Sequence, residues 1–454
     1  MSRKTAFVGF SYMAGLLLAS FFSAPLSIAI GAVLLGFGLC TVFIFRPKHS
    51  GSFYRSAVCA IACCVGLWIY SGYDMTVCRN ITANIGNFSG TVTIEQSTVY
   101  SEEKAFYIAH CTFPNGASGN VGFFDRRSDL VKGDKITLSG QLYAPENTGF
   151  FNSADYYRSM NVFLLMKSVR TSGYEIKEHN FYRTLDDFRH NVSDTIRKYV
   201  PSEEGELLIG MLFGSSKWNM SDRTENLLYR AGIGHVAAVS GMHMSVAAGI
   251  AAALAIALRL PKWGQFISVT AVSLLFAMTA GFTPSVVRSL IMVMFVWAAG
   301  IFNRRSDSLT SLAAAIIIMT ISSPFIVRST SFLLSVSGTI GTAVLSPMFI
   351  NAYEKKMERK TDLPYHVGAL TSALCSSLCA AAAVFPVSAL TFDQISIASP
   401  LTNLLLSPLC TAAIAIAAIG ALLCILPFTF ISGGLFLAAG LILSLIHISE
   451  PTRH

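Results

Sequence analysis

Apolar and polar positions change along this chain at the scale of whole segments. Eleven apolar runs stand out, roughly 5–23, 25–45, 56–73, 236–258, 264–282, 286–302, 307–323, 331–350, 366–390, 399–425 and 428–448. About 20 apolar residues carry a helix across the hydrocarbon core of a bilayer. The pattern therefore predicts an α-helical polytopic membrane protein with about 11 spans. The first run ends without a small-x-small cleavage pattern and a second follows at once, so the N-terminus is expected to remain as a span.

The stretch between the third and fourth runs has a different period. Residues 84–170 alternate as strands do, at Thr91–Ile94, Lys104–Ile108, Val121–Phe124, Asp134–Leu138 and Val162–Met166. A short helix fits Ser153–Met160, with Ser153 as its cap. Five strands and one helix in so short a stretch predict a small closed β-barrel, because closure removes exposed strand edges. Beyond it, Asp186–Val200 reads as an amphipathic helix, and Leu207–Phe213 is apolar but too short to span, as in an interfacial or re-entrant segment. Ser221 is placed to cap a further helix. The domain plan is 1–77 (three membrane helices), 78–180 (barrel), 181–235 (interfacial helices), 236–448 (membrane domain) and a polar tail at 449–454.

Composition agrees. The chain is 53% hydrophobic and 13% charged, against about 25% charged in ordinary soluble domains. Net charge is +8, with +4 in residues 1–77, zero in 78–180, −1 in 181–235 and +5 in 236–454. The basic excess thus sits in the membrane parts. Arg3 and Lys4, then Arg46, Lys48 and Arg55, then Arg259 and Lys262, then Arg304 and Arg305, then Lys355, Lys356, Arg359 and Lys360 fall on alternate connections. The positive-inside rule places all of them in the cytoplasm and the barrel outside the cell membrane. Eight of ten cysteines lie in apolar runs; Cys78 and Cys111 lie in the exterior region, where oxidation is permitted, so a disulfide between them is expected.

Small barrels of this kind bind single strands by stacking bases on aromatics beside a basic groove. The candidates are Tyr100, Phe106, Tyr107, Phe123, Phe124, Arg126, Arg127, Lys132 and Lys135. Alternate aromatics in strands are more often core, and the barrel's zero net charge argues against strong phosphate binding.

Residues 203–250 hold the most specific pattern: Gly232-Ile233-Gly234-His235, then Val239-Ser240-Gly241, then His243. A second block runs Gly281-Phe282-Thr283-Pro284-Ser285-Val286-Val287-Arg288-Ser289-Leu290-Ile291-Met292. A third is Ser396-Ile397-Ala398-Ser399-Pro400-Leu401-Thr402-Asn403-Leu404, followed by Pro408. Together they resemble the signature of the ComEC/Rec2 competence family, the DNA-uptake channels of naturally transformable bacteria. The resemblance extends to the family's OB-like domain at Lys132-Gly133-Asp134 and Asn147–Met160. Two features depart from the family: Ser331-Phe332-Leu333-Leu334-Ser335 stands where relatives read Gly-Phe-Gln-Leu-Ser, and no His-x-His-x-Asp-His cluster of the family's metallo-β-lactamase-like domain occurs. The resemblance implies single-stranded DNA as the partner, in a lipid bilayer, served by an extracytoplasmic DNA receptor and a cytoplasmic ATP-dependent translocase. It leaves a homo-oligomer open and implies no cofactor.

The residues themselves permit that role. His235, Ser240 and His243 are polar groups in an apolar run, and such groups face a cavity or a partner. A helix broken at Ser240-Gly241 exposes backbone amides to a wet path. Arg288 is costly in a membrane and either snorkels or lines the path of an anion. Asp222, Arg223 and Arg230 fall at the expected outer mouth. Two other readings compete. An intramembrane serine hydrolase would use Ser240 with His235 or His243, although Ala238-Val239-Ser240-Gly241 lacks the leading Gly of Gly-x-Ser-Gly. A small-molecule transporter would show internal repeats, and none is visible in the sequence.

Overall fold

The computed structural model describes residues 4–44, 51–101, 104–146, 152–177, 180–214, 226, 228, 232, 234, 239–357, 365–391, 399–425 and 429–448. Its helices are α1 (Lys4–Ala19), α2 (Ala24–Ile44), α3 (Gly51–Tyr73), α4 (Ser153–Ser159), α5 (Phe181–Tyr199), α6 (Glu203–Phe213), α7 (Gly241–Ala257), α8 (Lys262–Thr279), α9 (Pro284–Ile301), α10 (Ser308–Ser322), α11 (Thr330–Ile340), α12 (Ser346–Met357), α13 (Tyr365–Thr391), α14 (Ser399–Leu423) and α15 (Thr429–Ile448). Among the described residues five helical stretches are long and apolar enough to cross a membrane: Arg55–Thr82, Pro284–Ile301, Thr330–Tyr353, Leu370–Thr391 and Ser399–Leu423. Shorter apolar helices include Thr5–Ala19, Ala24–Cys40, Gly241–Ala257, Ser308–Ser322 and Phe430–Ser444. The chain divides into two compact units, Met1–Arg183 with Leu309–Phe332, and Thr184–Ser308 with Leu333–His454.

In the first unit, glycines set how closely helices approach. A Cβ on Gly15 would lie 2.0 Å from the Cys63 carbonyl, and one on Gly66 2.3 Å from the Tyr12 carbonyl, so α1 and α3 cross backbone to backbone. Gly9 admits Ala313 of α10 in the same way, at 2.5 Å from a would-be Cβ. Thr320 donates to the Tyr12 hydroxyl at 3.3 Å. Helix α3 continues through a π-turn at Asp74–Cys78 and a last turn at Arg79–Thr82, then delivers the chain straight into the barrel.

The barrel strands are β1 (Gly86–Ser101), β2 (Lys104–Thr112), β3 (Ser118–Asp125), β4 (Lys135–Tyr143) and β5 (Val162–Glu175). They close in the order β1-β2-β3-β5-β4, with β3 and β5 parallel and the other pairs antiparallel. Ile94, Tyr107, Phe123, Ile136, Leu138 and Leu142 are fully buried. Phe106, Ile108, Val162 and Leu165 form a second apolar cluster with Tyr143, Tyr157 and Met160, so α4 covers a face of the sheet that would otherwise meet water. The cap of α4 is Asn152 and not Ser153: the Asn152 side chain accepts from the Asp155 amide at 3.1 Å.

Two polar clamps fix this unit. The Lys132-Gly133-Asp134 turn needs glycine, whose φ is +95°. Asp134 is fully buried and accepts from the Val131 amide (3.0 Å), the Lys177 amide (3.2 Å) and the Arg183 guanidinium (2.7 Å). Removing one partner of such a buried pair costs about 3–5 kcal/mol. The second clamp joins α4 to the 3-10 turn Pro324–Arg328, where Arg328 pairs with Asp155 at 2.7 Å. Phe325 sits edge-on to Tyr70 (4.9 Å), Tyr73 (5.7 Å) and Phe163 (5.7 Å), packing the barrel onto helix α3.

In the second unit, α5 and α6 form a tight hairpin. Gly205 is required at the corner, because a Cβ there would stand 2.1 Å from the Val200 carbonyl. Arg197 grips Glu206 through two hydrogen bonds, at 2.7 and 3.3 Å. Helix α6 is buried at Gly205 and from Leu207 to Phe213, within a core that includes Leu406, Cys410 and Ala413 of α14 and Phe436, Ala439 and Leu443 of α15. The short apolar segment is therefore held within protein. Gly433 and Gly440 open the face of α15 that receives Tyr199 and Val200.

The expected disulfide is not formed. Cys78 and Cys111 are both buried free thiols. Cys111 lies opposite Gly119 in the β2–β3 register and donates to its carbonyl at 3.7 Å, whereas Cys78 hydrogen-bonds Asp74 within the π-turn. Compartment alone licensed the pairing; each thiol has its own partner instead. Burial pushes the Cys111 thiol up to about 12, so it stays protonated at pH 8 and reacts slowly. Folded protein should leave Cys111 unlabelled by iodoacetamide at pH 8, and unreduced, denatured protein should take one label on each cysteine by mass spectrometry. A linked Cys78–Cys111 peptide would contradict this.

Candidate functional site

Arg288 organises the site. Thr283 precedes α9, and Pro284 opens it at the first helical position, where the missing N–H costs nothing. One turn on, the Arg288 side chain lies inside the helical packing, only 8% exposed. The guanidinium is held along its length by its neighbours. Its Nε donates to Ser335 Oγ at 2.6 Å, and one terminal nitrogen reaches Thr339 Oγ1 at 3.0 Å and Met292 Sδ at 3.1 Å. The other donates to Ser289 Oγ at 3.3 Å. Ser335 and Thr339 are four residues apart on α11, hence on one face. Among the described residues no carboxylate pairs with Arg288. Hydroxyls solvate the guanidinium without neutralising it, and arginine does not deprotonate near neutral pH.

The Val239-Ser240-Gly241 block meets the same arginine. Ser240 is extended (φ −129°, ψ 179°) and caps α7. His243 completes a capping box: its Nδ1 accepts from the Ser240 amide at 3.1 Å and lies 3.0 Å from Ser240 Oγ. Histidine here does the work usually given to Glu or Gln. Gly241 is at the crossing. A Cβ on it would sit 2.9 Å from Ser289 Oγ and 3.2 Å from an Arg288 nitrogen. Only glycine lets the start of α7, the positive end of its dipole, come so near the guanidinium. Ser285 Oγ donates to the Val239 carbonyl at 3.2 Å and ties α9 to the chain just before α7.

The remaining block joins the signature elsewhere. Ser399 Oγ donates to the Gly232 carbonyl at 3.4 Å, and Asn403 steadies Ser399 at 3.2 Å. Gly232 has φ +75°, and a Cβ there would meet Ser399 at 2.5 Å. Segments far apart in sequence thus meet at two points. His235, Asp222, Arg223 and Arg230 lie outside the described residues.

The barrel candidates fare differently. Phe106 and Tyr107 are core residues, and the Tyr107 hydroxyl donates to the Arg127 carbonyl at 2.7 Å. Burial raises the Tyr107 phenol well above its usual range. Neither ring offers a face to a base, because β2 is buried on both sides once α4 is in place. Arg127 binds Asp129 through two contacts and lies 4.7 Å from the Tyr174 ring, and Lys132 pairs with Glu95 at 2.8 Å. The Arg127 hydrogen bond holds the Asp129 carboxyl below the usual range. Arg126 remains exposed. Phe124 is 46% exposed and has Lys104 at 5.2 Å from its ring, a cation–aromatic pair in which Lys104 had no signal beyond its place at a strand end.

Fold and site together define a helical membrane protein that carries a small closed β-barrel and holds a buried arginine that pairs with no carboxylate among the described residues. Residues 211–449 match the family model for the competence protein, more than half of the chain, and the chain belongs to this ComEC/Rec2-type family. It is similar to ComE operon protein 3 of Bacillus subtilis (strain 168), with 24% identity over 285 residues. That match covers 62% of this chain and 35% of the relative's length. No solved structure matches the chain.

The contact geometry gives a direct test of how Arg288 is held. Ser335→Ala should lower stability by about 1.5–3 kcal/mol, the range for a hydrogen bond to a charged group. Ser335→Thr, which keeps the hydroxyl, should recover most of it. Reversible unfolding in mixed detergent micelles reads both variants.

Proposed function

We propose that this protein is the membrane channel that passes single-stranded DNA into the cell during natural transformation. The observation that carries the reading is the buried Arg288 guanidinium, set against the start of α7, surrounded by hydroxyls and paired with no carboxylate among the described residues. A buried positive charge without a fixed counter-ion suits a mobile anion. Each phosphate of a passing strand is neutralised in turn, and hydroxyl donors do not hold it tightly enough to stop movement. Family membership, and the likeness to a protein named for a competence operon, support the same reading.

In this reading the eleven apolar runs all cross the bacterial cell membrane. The basic connections face the cytoplasm, and the barrel, read as OB-like, stands outside. There Arg126 and the Phe124–Lys104 pair are the groups left to touch the strand. A cytoplasmic ATP-dependent translocase supplies the work, and an exterior receptor supplies the strand. The membrane potential opposes an entering anion, at about 2.3 kcal/mol per charge per 100 mV.

The serine hydrolase reading would draw on the same capping box, with His243 or His235 as the base. A neutral imidazole has one acceptor nitrogen. In His243 that nitrogen lies 3.1 Å from the Ser240 amide and 3.0 Å from the Ser240 hydroxyl, so the amide competes for the lone pair a base would need; His235 lies outside the described residues.

Arg288→Gln keeps a polar N–H donor but shortens the side chain and removes the charge. Surface binding of labelled DNA should be unchanged, and internalisation should fall about tenfold or more, the equivalent of losing ~1.4 kcal/mol at one step. Wild-type internalisation at equal protein abundance would defeat the proposal.

A further inference from the structure

A second cluster of charge lies in the same unit, in the turns that follow α7 and α9. Both helices end by the same device. After α7, Arg259 takes a left-handed conformation (φ +53°), and the Leu260 amide reaches back to the Ala255 carbonyl at 3.0 Å. After α9, Asn303 does so (φ +51°), and the Arg304 amide reaches back to the Ala299 carbonyl at 2.9 Å. These are the six-to-one bonds of a Schellman ending, normally built on glycine. Lys262 Nζ then donates to Asn303 Oδ1 at 2.5 Å and ties one turn to the other. The tie brings Arg259, Lys262, Arg304 and Arg305 together, all four exposed. Among the described residues no carboxylate forms an ion pair with any of them.

The same turns expose large apolar groups. Leu258 is 63% exposed, Trp263 57% and Phe302 67%. Cations that only complemented helix dipoles would need no such neighbours. Cations with an indole, a phenyl and an aliphatic chain at one level match the headgroup boundary of a bilayer, where phosphate and acyl chain are within reach together. A single strand of DNA offers phosphate and bases but no aliphatic medium for Leu258.

We propose that the paired turns form a binding site for anionic phospholipid headgroups, with Arg259, Lys262, Arg304 and Arg305 on the phosphate and Trp263 and Phe302 among the first acyl carbons. The site is independent of the DNA-path reading. It selects phosphatidylglycerol-type lipids over zwitterionic ones.

Trp263 is a natural reporter. The full chain with Trp68→Phe, Trp218→Phe and Trp297→Phe is reconstituted in phosphatidylcholine vesicles that contain brominated phosphatidylglycerol or brominated phosphatidylcholine at equal mole fraction. Quenching of Trp263 should indicate about fivefold stronger association of the anionic lipid, as expected for one net screened basic contact or more. The preference should vanish when all four cations become Gln. It should survive Arg259→Lys with Arg304→Lys and Arg305→Lys, which keeps the charge; loss in both sets would point to damaged turns and overturn the charge argument. Equal quenching by the two lipids in the parent overturns the site, and preference retained in the four-Gln variant overturns its location. Abolition of the preference by a micromolar single-stranded oligonucleotide would assign the turns to nucleic acid instead.

Discussion

A guanidinium buried among apolar helices must be either neutralised or solvated. In this protein it is solvated. Ser335, Thr339 and Ser289 place three hydroxyls around Arg288, and the Met292 sulfur takes a fourth donor contact. Desolvating an arginine at the centre of a membrane helix costs about 2.5–3.5 kcal/mol on insertion scales. Hydroxyl partners return much of that cost without cancelling the charge, as a carboxylate would. The arrangement therefore keeps a positive field inside the helical unit. Everything nearby follows from the need to bring small groups close: Gly241 yields its side-chain space to Ser289 and Arg288, and Ser240 with His243 closes the helix start that glycine leaves exposed.

Close approach recurs throughout the molecule for a physical reason. Between lipid-exposed helices the hydrophobic effect provides little drive, so packing and interhelical hydrogen bonds must supply it. Gly15 against Cys63, Gly66 against Tyr12, Gly205 against Val200 and Gly433 against Tyr199 each admit a backbone or ring where a Cβ would collide. The hydroxyl contacts Ser346–Ser376 (2.7 Å) and Ser377–Pro400 (2.8 Å) do the matching polar work between later helices.

How much of this can be read from sequence depends on the range of the interaction. Long apolar runs and the strand alternation of residues 84–170 are local patterns, and they place the helices and the barrel strands well. The motif blocks were legible as well. Their meeting was not: Arg288 finds Ser335 and Thr339 across 47 and 51 residues, and only helix packing sets that distance. The barrel aromatics show the opposite failure. Alternation marks one buried face, but it carries no sign that α4 would cover the other, so Phe106 looked available and is core. The disulfide expectation failed similarly, since compartment chemistry permits a bond but geometry decides it. Ser153 lost the cap to Asn152, a neighbour with the same chemistry one residue earlier.

The central claim is that Arg288 presents its charge to a wet path. Arg288→Cys tests it most directly, in cells treated with a cationic aminoethyl thiosulfonate or a neutral methyl thiosulfonate, with the wild-type chain as control for the ten native cysteines. The account predicts that DNA internalisation is lost in the cysteine variant and restored by the cationic reagent alone. A thiol at 288 that neither reagent reaches, or equal restoration by the neutral one, would contradict it.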